Sequence, residues 1–278
     1  MDQLLFRISR LLRALSVVIP LLAAVSPAPA LCVPLGTFAQ SAPAAAPHVA
    51  AAADLQFALP EIVAAFTRSG GAPLKLSFGS SGNFARQIIQ GAPFELFLAA
   101  DERFVAQVIA AQRAESEGRH YATGRLALFL PQGSPIRADR DLADFAAAVH
   151  DGRLKRLALA NPEHAPYGRA AREVLEQRGL WLAVQDRLAL GDNAAQAAQF
   201  AASGAAQAGL IPLSLARAPE MAKRGAFVTL PESWHTPLRQ TLVLLKGAGP
   251  EARAFAEFLR GPEARAILVR NGFGLPAP

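Results

Sequence analysis

Cysteine is close to absent: Cys32 is the only one in 278 residues, so no internal disulfide can form and stability must come from burial. Aromatics are sparse at 7 %, with two tyrosines and two tryptophans. The net charge of +6 arises largely from arginines set singly along the chain, such as Arg169, Arg172 and Arg178, with no run of five or six. Isolated charges of this kind mark solvated helix faces and speak against nucleic-acid binding. The histidines, His48, His120, His150, His164 and His235, are scattered, with no H-x-x-x-H spacing and no cysteine partner. A transition-metal site therefore has no support. Neither G-x-x-x-x-G-K-S/T nor G-x-G-x-x-G occurs, which removes a glycine-rich nucleotide loop.

The N-terminus does have a clear pattern. Arg7, Arg10 and Arg13 precede an apolar run over 14–24, and small-residue sites follow at Ala28-Pro29-Ala30 and Thr37-Phe38-Ala39. This is the form of a secretory signal peptide over 1–39. Pro20 interrupts the run, which is too short for a comfortable membrane span. Leu31, directly before Cys32, fits a lipoprotein cleavage site poorly. Cleavage near Ala39, with Ala30 as the other candidate, leaves a cysteine-free secreted protein of about 240 residues, enough for two cores. Residues 40–47 (QSAPAAAP) form a flexible leader.

Strand and helix patterns then alternate, which predicts an α/β fold with mainly parallel sheets. Strands are expected over 48–53, 74–78, 94–99, 125–130, 154–160, 187–190, 208–213, 226–230 and 240–245. Helices are expected over 55–69, 83–90, 102–111, 169–178, 194–202, 251–260 and 262–269, with a loop over 161–168. If 125–130 and 240–245 are strands crossing between lobes, lobe one holds 48–125 plus 245–278 and lobe two holds 126–244. A cleft between two such lobes is a favoured ligand site. No internal sequence repeat is evident.

The most informative stretch is 74–89, LKLSFGSSGNFARQII, where a strand enters a helix through Gly79-Ser80-Ser81-Gly82-Asn83. The first N–H groups of that helix lack intrahelical acceptors, and two hydroxyls lie beside them without a lysine or arginine. Such a turn is either a simple N-cap or an anion site built of neutral dipoles. Three further junctions carry small or polar residues: Ala52-Ala53-Asp54, Ala165-Pro166-Tyr167-Gly168 and Asp192-Asn193-Ala194. Ligands bind at the carboxyl ends of strands in open α/β sheets, so the four together point to one cleft. Tyr167, between proline and glycine, is placed to offer its hydroxyl. Gly79-Ser80-Ser81-Gly82 is not the G-x-S-x-G of a nucleophile elbow, and the nearest base candidate, His164, is in the other lobe.

Five segments in order carry a resemblance that spans 48–275: VAAAADLQFALPEI, SFGSSGNFARQIIQGAPFELFLAAD, NPEHAPYGRAAREVLE, GDNAAQAAQFAASGAAQAGLI and FLRGPEARAILVRNGFG. In these the chain resembles the periplasmic molybdate-binding proteins of ABC importers, within the type II solute-binding proteins. The resemblance implies two α/β lobes joined by two crossover strands. It also implies a tetrahedral oxyanion held between them by hydroxyls and backbone N–H groups. Carried over by position, the serine of the second motif falls at Ser80 or Ser81, the Pro-Glu-His loop contact at Tyr167, and the backbone contact before the third helix at Ala194, beside Asn193. In the first loop, where the family often has a hydroxyl or amide, this chain has Ala53 and Asp54. A carboxylate facing a dianion is repulsive by on the order of several kcal/mol if both are charged and poorly solvated. Asp54 instead turning away to cap the helix at Leu55 removes the conflict. Pro212 stands where some members have a ligand-contacting tyrosine.

The expectation is thus a monomeric, non-enzymatic binding protein that takes molybdate or tungstate as ligand. It has no cofactor and no direct cation site, and it passes the oxyanion to an ABC permease in the inner membrane. Another oxyanion or a small organic anion is the alternative, and a serine hydrolase using Ser80 or Ser81 the reading from a different class.

Overall fold

The computed structural model describes residues 46–276; the expected signal peptide, its cleavage sites and Cys32 lie outside the described residues. Ten strands form two five-stranded sheets. The first contains β1 (His48–Ala52), β2 (Lys75–Gly79), β3 (Leu96–Ala99), β4 (Arg119–Gly124) and β10 (Leu238–Leu244), in the order β2-β1-β3-β10-β4. The second contains β5 (Leu126–Pro131), β6 (Leu157–Ala160), β7 (Leu188–Gly191), β8 (Ala208–Pro212) and β9 (Gly225–Thr229), in the order β7-β6-β8-β5-β9. The helices of the first lobe are α1 (Ala58–Arg68), α2 (Ser81–Ile89), α3 (Glu102–Ala110), α10 (Pro250–Phe258) and α11 (Pro262–Arg270). Those of the second are α4 (Ala143–His150), α5 (Pro166–Gln177), α6 (Trp181–Val184), α7 (Ala194–Ala202), α8 (Leu213–Ala216) and α9 (Pro219–Ala222).

Each sheet has two parallel pairings followed by two antiparallel ones, made by the single reversed strand β10 or β5, so both are mixed instead of mainly parallel. The two lobes therefore repeat one topology although the sequence shows no repeat. β4 was not expected: RHYATG carries little apolar signal, because it is an edge strand, paired with β10 on one side and bridged at Thr123 with Gly274 on the other. β10 is central and covered on both faces, which explains its apolar run. A crossing strand would look the same in sequence. By its pairing β10 lies wholly in the first sheet, so the return passage falls in 230–237, before the strand, and the division expected at 245 moves to before Leu238. The outward passage falls at Arg125, between β4 and β5, and β5 lies wholly in the second sheet.

Packing follows strand periodicity. On β3, Leu96 and Leu98 join a cluster with Leu59, Ile62, Phe66 and Phe255, while Phe97 and Ala99 face Phe84, Val105 and Val108 on the other side of the sheet. The second lobe has one extended core around Phe129, Phe145, Leu159 and Leu210. Helix α5 starts at Pro166, three residues earlier than expected. Proline suits the first helical position, and Gly168 does not stop the helix, because it serves close packing: a Cβ there would collide with the carbonyl of Ala160. Phe129→Ala is expected to destabilise the protein by about 3–5 kcal/mol in urea unfolding, since the ring is fully buried.

Candidate functional site

Five chain segments meet between the lobes around a small cavity. Its wall includes Ala53, Asp54, Ser80, Ser81, Tyr167 and Ala194, with Gly79, Ala100 and Pro166 between them. Larger depressions exist, such as one of about 650 Å³ lined by Phe57, Ala198, Leu215 and Met221, but the expected functional groups are not in it.

The donors come from helix starts. Ser80 caps α2, its Oγ accepting from the Asn83 N–H at 3.3 Å, and Ser81 is the first helical residue. Asn193 caps α7, its Oδ1 accepting from the N–H groups of Ala195 (3.0 Å) and Gln196 (3.1 Å). It thereby sits behind the cavity wall and not in it, while Ala194 supplies the first N–H of α7. Tyr167 follows Pro166 in the first turn of α5, and Ala53 and Asp54 open a 3-10 turn after β1. N–H groups of a first turn have no acceptor within their own helix. No lysine or arginine lines the cavity among the described residues.

The two serines are held differently. Ser81 is fully buried, and its Oγ accepts from the Ala100 N–H at 3.0 Å, which leaves its own proton to give. The Ser80 Oγ lies 3.0 Å from Nδ1 of His164, across the cleft, with the direction of donation set by the ring tautomer. Further bonds tie the lobes together beside it. The Gly82 N–H donates to the His164 carbonyl at 2.9 Å, and the Asn83 amide donates to the Asp192 carboxylate at 3.3 Å. Arg169 of α5 meets Asp101 at 3.1 Å, and the Ser214 hydroxyl donates to the Asp54 carbonyl at 2.8 Å.

Asp54 does not cap a helix. It lies within the 3-10 turn, 1 % exposed, with its side chain directed at Gln240, whose Nε2 donates to Oδ2 at 2.6 Å. Tyr121 Oη donates to Gln240 Oε1 at 3.3 Å and so fixes which end of the amide faces Asp54. The same Nε2 is 3.4 Å from the Tyr167 hydroxyl. Burial pushes the Asp54 pKa up to about 6, opposed by the Tyr167 hydroxyl and the Gln240 amide. Burial, reinforced by Asp54, raises both tyrosines well above their ordinary value, so they stay protonated donors. Both tyrosines of the chain thus meet at one carboxylate.

Sequence reasoning missed Gln240, Tyr121 and Ser214, and weighed His164 only as a base. A glutamine inside the apolar strand LRQTLVL was the available signal for Gln240. Pro212, at the end of β8, does not line the cavity; Ser214, two residues on, is the group that reaches the first loop.

Two lobes of matching topology, joined by two passages and enclosing a small polar cavity at the carboxyl ends of strands, define the class of two-lobed solute-binding proteins. Residues 47–274 match the family described as bacterial extracellular solute-binding protein, and the chain belongs to it. It is 36 % identical to the molybdate-binding protein ModA of Azotobacter vinelandii, covering 86 % of this chain and 94 % of that one. It is also 36 % identical to ModA of Rhodobacter capsulatus, over 83 % of this chain and 90 % of that one. The solved periplasmic molybdate-binding protein of A. vinelandii superposes with a TM-score of 0.75 at 28 % identity, covering 83 % of this chain and all of that one.

The raised carboxyl has a consequence for the ligand-free protein with its lobes closed. A folded pKa of about 6 against 3.8 for the free side chain means that the native state binds the extra proton between those values. Stability from this group is therefore full below pH 3.8 and falls as pH rises through 6, by about 3 kcal/mol in all. Urea unfolding of wild type and Asp54→Asn from pH 4 to 7.5 should show the variant gaining on wild type as pH rises.

Proposed function

We propose that this protein captures molybdate, and tungstate with it, in the interlobe cavity and passes it to an ABC permease of the inner membrane. It works from the periplasm, after removal of the signal peptide. The observation that carries this reading is the convergence of first-turn N–H groups at Asp54, Ser81, Tyr167 and Ala194, with the Ser80, Ser81 and Tyr167 hydroxyls, on a cavity with no basic lining. Neutral dipoles held rigidly in a dry site stabilise an anion without salt bridges that a competing cation could screen. The family and the relatives named above bear the same reading. Discrimination from sulfate, which has the same charge and shape, rests on cavity size and donor placement.

The hydrolase reading draws on one distance, the 3.0 Å between Ser80 Oγ and His164 Nδ1. Three features oppose it. The same Oγ is spent as the α2 cap, Asp192 is 3.6 Å from Nε2 and largely exposed, and the serine is 3 % exposed behind closed lobes. His164 acts as a bridge between lobes and the protein catalyses no reaction.

Thermal unfolding with molybdate, tungstate, sulfate, phosphate and small carboxylates tests the ligand. Molybdate or tungstate at about a hundred times Kd should add roughly 2.7 kcal/mol of stability; no shift at millimolar concentration with either would sink the reading. Ser81→Ala removes a charge-assisted hydrogen bond of about 1.5–3 kcal/mol, so molybdate Kd should rise by roughly ten- to a hundredfold in calorimetry. Asp54→Ser, which replaces the carboxylate by a hydroxyl donor, should keep or improve affinity at pH 8.

A further inference from the structure

One buried polar atom of the cavity wall has no partner among the described residues: Asp54 Oδ1. Its sister oxygen is satisfied by Gln240, and the Gln240 amide cannot turn to serve both, because Tyr121 holds its carbonyl end. The main chain is fixed as well, since the Asp54 carbonyl is bound by Ser214 from the other lobe. Oδ1 is therefore a rigid, dry acceptor in a cavity whose other polar groups are donors. An oxyanion placed against those donors brings a second set of acceptor oxygens to it. Two negatively charged oxygens at close range, with no cation lining the cavity, do not both remain ionised.

Resting on the function proposed above, we propose that oxyanion capture is proton-linked: one proton enters with the anion and is shared between Asp54 Oδ1 and a ligand oxygen. The balance is simple. Free anion, solvent proton and the Asp54 carboxylate give a complex in which a carboxylic O–H donates to the ligand, and no covalent bond in the ligand breaks. Asp54 is then a specificity residue, not only a departure from the family. Sharing a proton favours the more basic of two isosteric anions, and sulfate, the conjugate base of a stronger acid than hydrogenmolybdate, gains less from it. A ligand that brings its own proton, such as hydrogenphosphate, binds the ionised carboxylate without taking one from solvent.

The titratable groups facing Asp54 are Tyr121 on β4 and Tyr167 on α5, both kept protonated by burial; Gln240 on β10 and Ser214 on α8 are neutral. Farther along the wall are His164, on the Ser80 hydroxyl, and the Asp101–Arg169 pair. His164 is the imidazole bonded to the Ser80 hydroxyl, so His164→Gln serves as the control.

Calorimetric titration of the mature protein with molybdate, from pH 6.5 to 8.5 and in two buffers of different ionisation enthalpy, decides it. Wild type and His164→Gln should take up close to one proton per anion, and Kd should rise about tenfold per pH unit above pH 7. Asp54→Asn should bind with no proton uptake and no slope. Molybdate binding to wild type with neither uptake nor slope overturns the proton linkage and leaves the function standing. Absence of molybdate binding at every pH, with tight hydrogenphosphate binding instead, overturns the function itself.

Discussion

A closed cavity that holds a full negative charge without a positive one must aim many small dipoles at a single point. That constraint accounts for much of the architecture. Each dipole needs the start of a helix or tight turn, and each start must follow a strand that ends at the cleft. β1 and β2 in the first sheet, and β6 and β7 in the second, run parallel in pairs, which puts their carboxyl ends side by side. Antiparallel neighbours would have sent alternate turns to the opposite edge. The antiparallel pairings, β10 with β4 and β5 with β9, are kept to the other half of each sheet, where these strands carry the passages between lobes.

Small residues follow from the same demand. Gly82 lies so close to the His164 backbone that a Cβ would collide with it, and Gly168 lies as close to Ala160. Ala53, Ala100, Ala165 and Ala194 complete the cavity wall with small side chains. Bulk is supplied one layer back, by Phe84 and Phe97 under α2 and by Leu159 and Leu210 under α7. The site is rigid because that layer is packed, and a rigid ring of donors discriminates by size where a flexible one would adapt.

The alternation of strand and helix, the helix starts at Glu102, Ala194 and Pro262, and the meeting of four junctions were legible because each rests on local chemistry: caps, proline positions and periodicity. Three things were not. β4 is an edge strand, with one strand neighbour and a single bridge on its outer side, and its residues carry little strand signal. β10 looked like a crossing strand because burial on both faces gives the same apolar run whichever sheet provides it. Asp54 was legible as an anomaly, but its answer lay in Gln240, 186 residues away, and no local pattern can place that amide. The capping role offered for Asp54 fails for a simple reason: the turn begins at Ala53, two residues earlier than Leu55, so Asp54 lies inside it.

The environment of Asp54 is itself a product of closure. The passages between lobes run side by side: Arg125 on one lies 2.7 Å from Glu232 on the other, and the Leu230 N–H donates to the Leu126 carbonyl at 3.0 Å. Rotation about this paired strip is the motion that separates the sheets with least disruption. Next to it is Gly124, where any side chain would displace both the Tyr167 hydroxyl and the Gln240 amide. Gln240 and Asp54 belong to the first lobe, Tyr167 and Ser214 to the second. Opening the strip withdraws Tyr167 and Ser214 and admits water to Asp54, so the carboxyl is dry only when the lobes meet. Anion, proton and lobe closure are then three faces of one equilibrium, and the lobes shut most readily when the charge on Asp54 has been answered.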